Sequence, residues 1–306
     1  MTDLQLDIEL SLRELNVFNS LFTVALVLLT IVILPAIFSR NVRRNALWFT
    51  FIGSWLLYCV SGLLLVGHQL GPDPPFGICL LQAALIHSVP TLGSVAGGCF
   101  IVDVIVFHTE TLPVALVLDT NETHANGDYP SYLQDTNSSF PQLLAFPAFA
   151  FFSLFWLSLG IGLQDHTTVN RVQNMFCHIN TGLPTLVGSL LSGFSIAVAI
   201  AVEIAAGIMI YTSRPTLSDA KSPSDSNQPI ARGMVIRICL FSLLTVLGLV
   251  LSAVMLFHFN DTDIQGNFLL PILPILVAIL FGAQRDIILG WRFWKHESKA
   301  SQIEAV

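Results

Sequence analysis

The sequence predicts an all-α membrane protein, a bundle of seven transmembrane helices with its N-terminus outside and its C-terminus in the cytoplasm. Three observations carry this. Of 306 residues, 54% are apolar and only 11% are charged, where a soluble domain carries about 25% charged residues. Seven apolar segments, roughly 15–38, 46–67, 78–107, 142–163, 182–212, 233–259 and 267–291, approach or exceed the ~20 residues that cross a hydrocarbon core about 30 Å thick. With the N-terminus outside, Arg40, Arg43, Arg44, Arg214, Lys221, Arg232, Arg237, Arg285, Arg292, Lys295 and Lys299 all fall on the inner side. Only Arg13 and Arg171 fall outside, the asymmetry that sets orientation in a bilayer.

Residues 1–14 form a short extracellular tail ahead of the bundle, which spans 15–294. Its apolar residues alternate (Leu4, Leu6, Ile8, Leu10, Leu12), a strand-like spacing without a partner strand, which predicts a surface-lying or disordered segment. The tail is acidic and has no basic region before its apolar run, so no cleavable signal is expected and the first span acts as the insertion signal. The break at 40–45 is strongly basic. The break at 68–77, HQLGPDPPFG, is a turn that cannot continue a helix.

The third segment, Cys79–Phe107, organises the rest. Asp103 is its only charged residue, and Ala83, Ala84, Gly93, Ser94, Ala96, Gly97 and Gly98 let neighbouring helices approach on several sides. It reads as the central helix. Residues 108–141 follow as an acidic loop with five carboxylates, no Lys or Arg, and two glycosylation sequons at Asn121 and Asn137. The basic residues elsewhere predict that this loop is cytoplasmic and unglycosylated. Residues 213–232 are polar and rich in Ser and Pro. The seventh span carries Pro271 and Pro274, expected to kink its outer half. It ends in an amphipathic stretch, 285–294, expected to turn along the membrane with Ile287, Ile288, Trp291 and Trp294 on one face. Residues 295–306 form a cytoplasmic tail.

Cys79 and Cys177 both lie on the outer, oxidising side, where disulfides persist, and a bond between them is expected. Cys59, Cys99 and Cys239 lie in apolar spans and read as packing residues. Asp103 and Glu203 are carboxylates within spans, which face the bundle interior, water or the interface. His68, His87, His166, His178 and His258 gather toward the outer side, but no two share a helix at i, i+4 spacing. That argues against a metal-hydrolase site, and neither metal nor cofactor is expected. The three Lys residues lie outside the spans, which excludes a retinal Schiff base. A net charge of −7 argues against nucleic acid as a partner.

Five stretches together resemble one known group: FNSLFTVALV (18–27), LPAIFSRNVRRNALWFTFIGSWLLY (34–58), GPDPPFGICLLQAALIHSVP (71–90), MFCHIN (175–180) and LPILPILVAILFGAQRDIILGWRFWK (270–295). The chain is similar to the orphan seven-transmembrane receptors expanded in mushroom-forming fungi, which are distantly like the fungal mating-pheromone receptors. The resemblance implies a ligand-gated receptor that signals to a heterotrimeric G protein. The chain lacks the acidic-Arg-aromatic triplet and the Asn-Pro-x-x-Tyr motif of animal rhodopsin-like receptors, so no switch residue carries over from those. The acidic loop 108–141 is also foreign to the group.

The expectation is therefore a plasma-membrane receptor and not an enzyme. Its partners are the lipid bilayer, a heterotrimeric G protein and an unknown external ligand. Candidate ligand contacts in the outer half are Tyr58, Gln82, His87, Thr91 and His178. Candidate coupling contacts at the inner rim are Arg43, Arg44, Arg237, Arg285 and Arg292. A small-solute transporter is the second class, and a seven-helix membrane hydrolase the third. A transporter would show internal repeats and broken helices; no repeat is evident, although Pro90, Pro271 and Pro274 could break helices.

Overall fold

The computed structural model describes residues 2–39, 44–120, 140–172, 175–219 and 270–291, with helical positions at 243, 246, 247 and 250. Backbone alone is described along 2–11, 104–120, 140–142 and 209–219 and at 206, 285 and 286. The helices are α1 (Thr2–Phe38), α2 (Ala46–Leu63), α3 (Phe76–Thr120), α4 (Phe140–Gln164), α5 (Gly182–Asp219), α6 (Ile272–Gly282) and α7 (Arg285–Gly290). Between α4 and α5 a 3-10 turn (His166–Thr168) leads into a two-stranded antiparallel hairpin, β1 (Val169–Val172) and β2 (Phe176–Ile179).

Five helices are long and apolar enough to cross a membrane: Leu12–Phe38, Ala46–Leu63, Phe76–Asp103, Leu143–Gln164 and Gly182–Ala205. Their outward faces are as apolar as their inward ones. On α4, Phe146, Phe149, Phe152 and Trp156 are all more than half exposed, at spacings that put them along one side of the helix. A stripe of that size would be a liability in water and is ordinary against lipid. Of the remaining two predicted spans, the sixth lies almost wholly outside the described residues. The seventh is represented by α6, shorter than a full crossing.

α3 is the hub. It packs against α2, α4, α5 and the hairpin, while α1 packs against α2 and α6. Small residues make this possible. Ala83, Ala84 and Ala96 are fully buried. A Cβ on Gly93 would stand 3.1 Å from Ser54 Oγ, and one on Gly98 would collide with Ser195. The core on the α1 side is aromatic: Phe18, Phe22, Trp48, Phe51, Tyr58 and Phe281 are buried together.

Four boundaries differ from expectation, each for a physical reason. The N-terminal segment continues α1 as helix from Thr2, because its Leu, Glu, Gln and Arg are good helix formers and its alternating residues have no strand to pair with. α3 runs on past Phe107 to Thr120, where Glu110, Leu112, Ala115, Leu116 and Leu118 favour helix around Pro113, so the first part of the acidic loop is helical; Asn121 and Asn137 lie outside the described residues. α2 ends at Leu63, and the chain reverses through turns in which Gly67 and Gly71 take φ of 92° and 94°, values glycine reaches without strain. Among the described residues the paired prolines stand at the start of a helix. Pro271 is the residue before α6 and Pro274 lies in its first turn, where backbone N–H groups have no partner within the helix.

The end of the seventh span does turn. α6 stops at Gly282, Gln284 is extended (φ −68°, ψ 131°), and α7 starts at Arg285. The expected single apolar face is split, however. Ile287 is buried within the core, while Ile288 and Trp291 are exposed. Trp294 lies outside the described residues.

Candidate functional site

The hairpin is fixed to one end of the bundle by several independent ties. The expected disulfide is present: Cys177 on β2 is bonded to Cys79 in the first turn of α3, with Cα atoms 5.2 Å apart, an ordinary separation for such a bond. One turn along α3, Gln82 is fully buried. Its Oε1 accepts from the Cys177 backbone N–H at 2.8 Å and its Nε2 donates to Ser61 O on α2 at 2.8 Å. Gln82 therefore brackets β2, α3 and α2, with both ends of its amide engaged. Arg171, opposite Cys177 in the ladder, donates to His68 O, Gln69 O and Gly71 O at 3.3–3.5 Å and pairs with Asp73 at 3.4 Å. Asn19 and Gln69 exchange two amide hydrogen bonds, 2.7 and 3.1 Å, and Gln69 also donates to Met175 O at 3.0 Å. Phe176 stacks on Phe18 of α1.

Under this lid two of the sequence candidates meet. The His87 ring on α3 lies 5.7 Å from the His178 ring on β2, centroid to centroid. Burial pushes the His178 imidazole below its usual range, which favours the neutral form. Thr91, one turn along α3 from His87, is buried where Gly188 of α5 comes closest. A Cβ on Gly188 would be 3.2 Å from Thr91 Oγ1, 3.6 Å from Leu154 of α4 and 3.7 Å from His87 O. One turn nearer the hairpin, helical spacing brings His87, Ser158 and Thr185 to the facing sides of α3, α4 and α5.

His87 Nε2, Ser158 Oγ and Thr185 Oγ1 are all buried without a hydrogen-bond partner, as is Thr181 Oγ1 at the head of α5. Each such atom costs about 1–3 kcal/mol unless something satisfies it. Ser158, Thr181 and Thr185 escaped the sequence reading. The available signal was a hydroxyl at an inward position of an apolar helix, but which positions face inward is set by packing. Tyr58 belongs to the aromatic core instead, between Phe22 (5.6 Å) and Trp55 (6.0 Å). Among the described residues no three His, Cys, Asp or Glu side chains converge as a metal cluster.

At the opposite end of the bundle the chain is held differently. Asn45 caps α2, its Oδ1 accepting from Trp48 N–H at 3.0 Å, and its Nδ2 donates to Asp103 Oδ2 at 2.6 Å. The intramembrane carboxylate is thus given a partner, as burial requires. Arg44 donates to Gln284 Oε1 at 2.6 Å and lies over the Trp48 ring, 5.4 Å from its centroid. Trp48 in turn packs edge-on to Phe281. Of the candidate coupling residues, Arg44 is turned into this network and Arg285 opens α7, described by its backbone alone. Arg43, Arg237 and Arg292 lie outside the described residues, as do Cys239 and His258. Glu203 is half-buried along α5.

Comparison with known protein families and with curated proteins finds no match. What the chain displays by itself is a multi-helix membrane bundle with a disulfide-pinned hairpin over unsatisfied polar atoms.

Proposed function

We propose that this chain is a plasma-membrane receptor that passes an external chemical signal to a heterotrimeric G protein. The observation that carries the reading is the set of buried, unpartnered polar atoms beneath the pinned hairpin: His87 Nε2, Ser158 Oγ, Thr185 Oγ1 and Thr181 Oγ1. A ligand entering at the hairpin end would satisfy them, and the gain in hydrogen bonding would be large because the alternative is unsatisfied burial. His87, His178 and Thr91 are the contacts assigned to it; Gln82 positions the lid, and Tyr58 packs behind. The resemblance of five stretches to fungal seven-helix receptors points the same way. In this reading the hairpin end faces outward and the Arg44–Gln284 end faces the G protein.

The test is nucleotide exchange. The full chain, reconstituted in vesicles with purified fungal G-protein heterotrimers, is expected to raise guanine-nucleotide exchange above empty vesicles, and Arg285→Ala to reduce it at equal receptor density. Exchange that stays at the empty-vesicle rate with each Gα class overturns the reading. Solute flux through the same vesicles would favour the transporter.

A further inference from the structure

We propose that His87 and His178 form a two-histidine site for a late divalent transition metal ion, Zn²⁺ or Cu²⁺, that clamps the hairpin to α3. The proposal rests on the pair's own geometry and not on the receptor reading; with an ion on His87, Ser158 Oγ and Thr185 Oγ1 are the unpartnered atoms left for a ligand, which would reach the two histidines only through the ion. Two imidazoles sharing one ion through a nitrogen each, at about 2.0–2.1 Å, stand with ring centroids roughly 5–6 Å apart at tetrahedral to trigonal angles. The observed separation is 5.7 Å, with the rings tilted by 52°. A stacked histidine pair would be nearly coplanar and closer.

The second observation is independent. His87 Nε2 is buried and has no hydrogen-bond partner among the described residues. A nitrogen lone pair or N–H left this way in a helix bundle is costly, and a metal ion removes the cost. Imidazole ligands select zinc, copper and nickel over the hard ions calcium and magnesium, which prefer oxygen. Two protein ligands leave two or more positions on a four-coordinate ion for water. Thr181, three residues beyond His178, and Thr91, one turn from His87, are the hydroxyls nearest in sequence to hydrogen-bond that water. Thr181 Oγ1 is itself unpartnered.

The site joins two elements that the disulfide already links at Cys79 and Cys177. The ion would add a second fastening deeper in the bundle, on the other face of β2, since adjacent strand residues point to opposite sides. Occupancy would add one more tie to those that already hold the hairpin down.

The experiment uses the full, untagged chain in detergent micelles with its disulfide intact. Zn²⁺ alone is titrated and its affinity measured by calorimetry, beside a thermal-unfolding shift. Wild type and His166→Ala, a change in the exposed 3-10 turn, are expected to bind one high-affinity ion alike. His87→Ala and His178→Ala are each expected to weaken that step at least tenfold and to abolish the unfolding shift. Zinc affinity unchanged in both variants, or no saturable step in the wild type, overturns the proposal. Should His87→Ala fail to fold, the wild-type chain answers by itself. Stoichiometric Cu²⁺ is expected to give an electron paramagnetic resonance spectrum with two imidazole nitrogens, and a spectrum with one or none overturns the site.

Discussion

Among the described residues the two ends of the bundle are held differently. At the hairpin end a covalent bond, a fully engaged Gln82 amide, the Asn19–Gln69 pair and four contacts from Arg171 converge on one small sheet. At the other end the described side-chain ties are Arg44 to Gln284 and Asn45 to Asp103, with one cation–π contact. The first lands on Gln284, at the break between α6 and α7, and the second joins the head of α2 to α3. The first end resists rearrangement because several groups would have to let go together. The described ties at the second are single hydrogen bonds and one cation–π contact, each modest by itself.

The largest expected effect is from breaking the strong end. Cys79→Ser or Cys177→Ser opens a link across a sequence separation of 98 residues, which costs about 3–5 kcal/mol. Thermal unfolding in detergent and surface abundance should both fall far more than for Cys59→Ser, and equal losses for Cys59 would contradict the comparison. Next, Gln82→Leu leaves the Cys177 N–H unpartnered, about 1–3 kcal/mol, while Ser61 O keeps the Leu64 N–H; Gln82→Glu puts a carboxyl at the same fully buried position, facing the Ser61 carbonyl, and should lose at least as much in the same unfolding measurement.

The weak end is sharpened by smaller changes. Asn45→Ala removes the α2 cap, about 1 kcal/mol, and the Asp103 partner as well. Arg44→Ala should cost less than Asn45→Ala. In hydrogen-exchange mass spectrometry both should speed exchange in α7 and the first turn of α2 while leaving β1 and β2 unchanged. Faster exchange in the hairpin would mean that the two ends are not separate.

The smallest effect is with pH. Burial lowers the His178 pKa relative to the unfolded chain, so folding favours its neutral form. That contribution is complete above the unfolded value, about 6.5, and is lost as pH falls from there through the lowered folded value. Hairpin exchange should therefore quicken as the medium is acidified below about 6.5, and His178→Asn should flatten that dependence.

Much of the fold was legible because lipid imposes a simple rule: a crossing needs an uninterrupted apolar stretch. The five long helices and the hub role of α3 follow from it, and the Cys79–Cys177 bond from having both thiols on one side. The ends of elements were less legible. Pro271 and Pro274 signal a kink or a helix start equally well, and only the break before Ile272 decides. Gln82 and Arg44 were visible as polar residues near helix ends, but their partners, Cys177 and Gln284, lie 95 and 240 residues away in sequence. No local pattern encodes such pairs. The same holds for Ser158 and Thr185, whose inward orientation depends on how Gly188 seats against Thr91.

That seating has a mechanical corollary. α5 touches α3 closely at Gly188 against Thr91 and again at Ser195 against Gly98. The interval is seven residues on both helices, about 10 Å of rise, so the two run parallel in matching register. At both levels a glycine lets the neighbouring helix come close, and rolling or sliding one helix on the other would press Thr91 or Ser195 into that contact. α3 and α5 therefore behave as one plank. A displacement of α3 beneath the hairpin is expected to carry α5 with it, against α4, which packs along both.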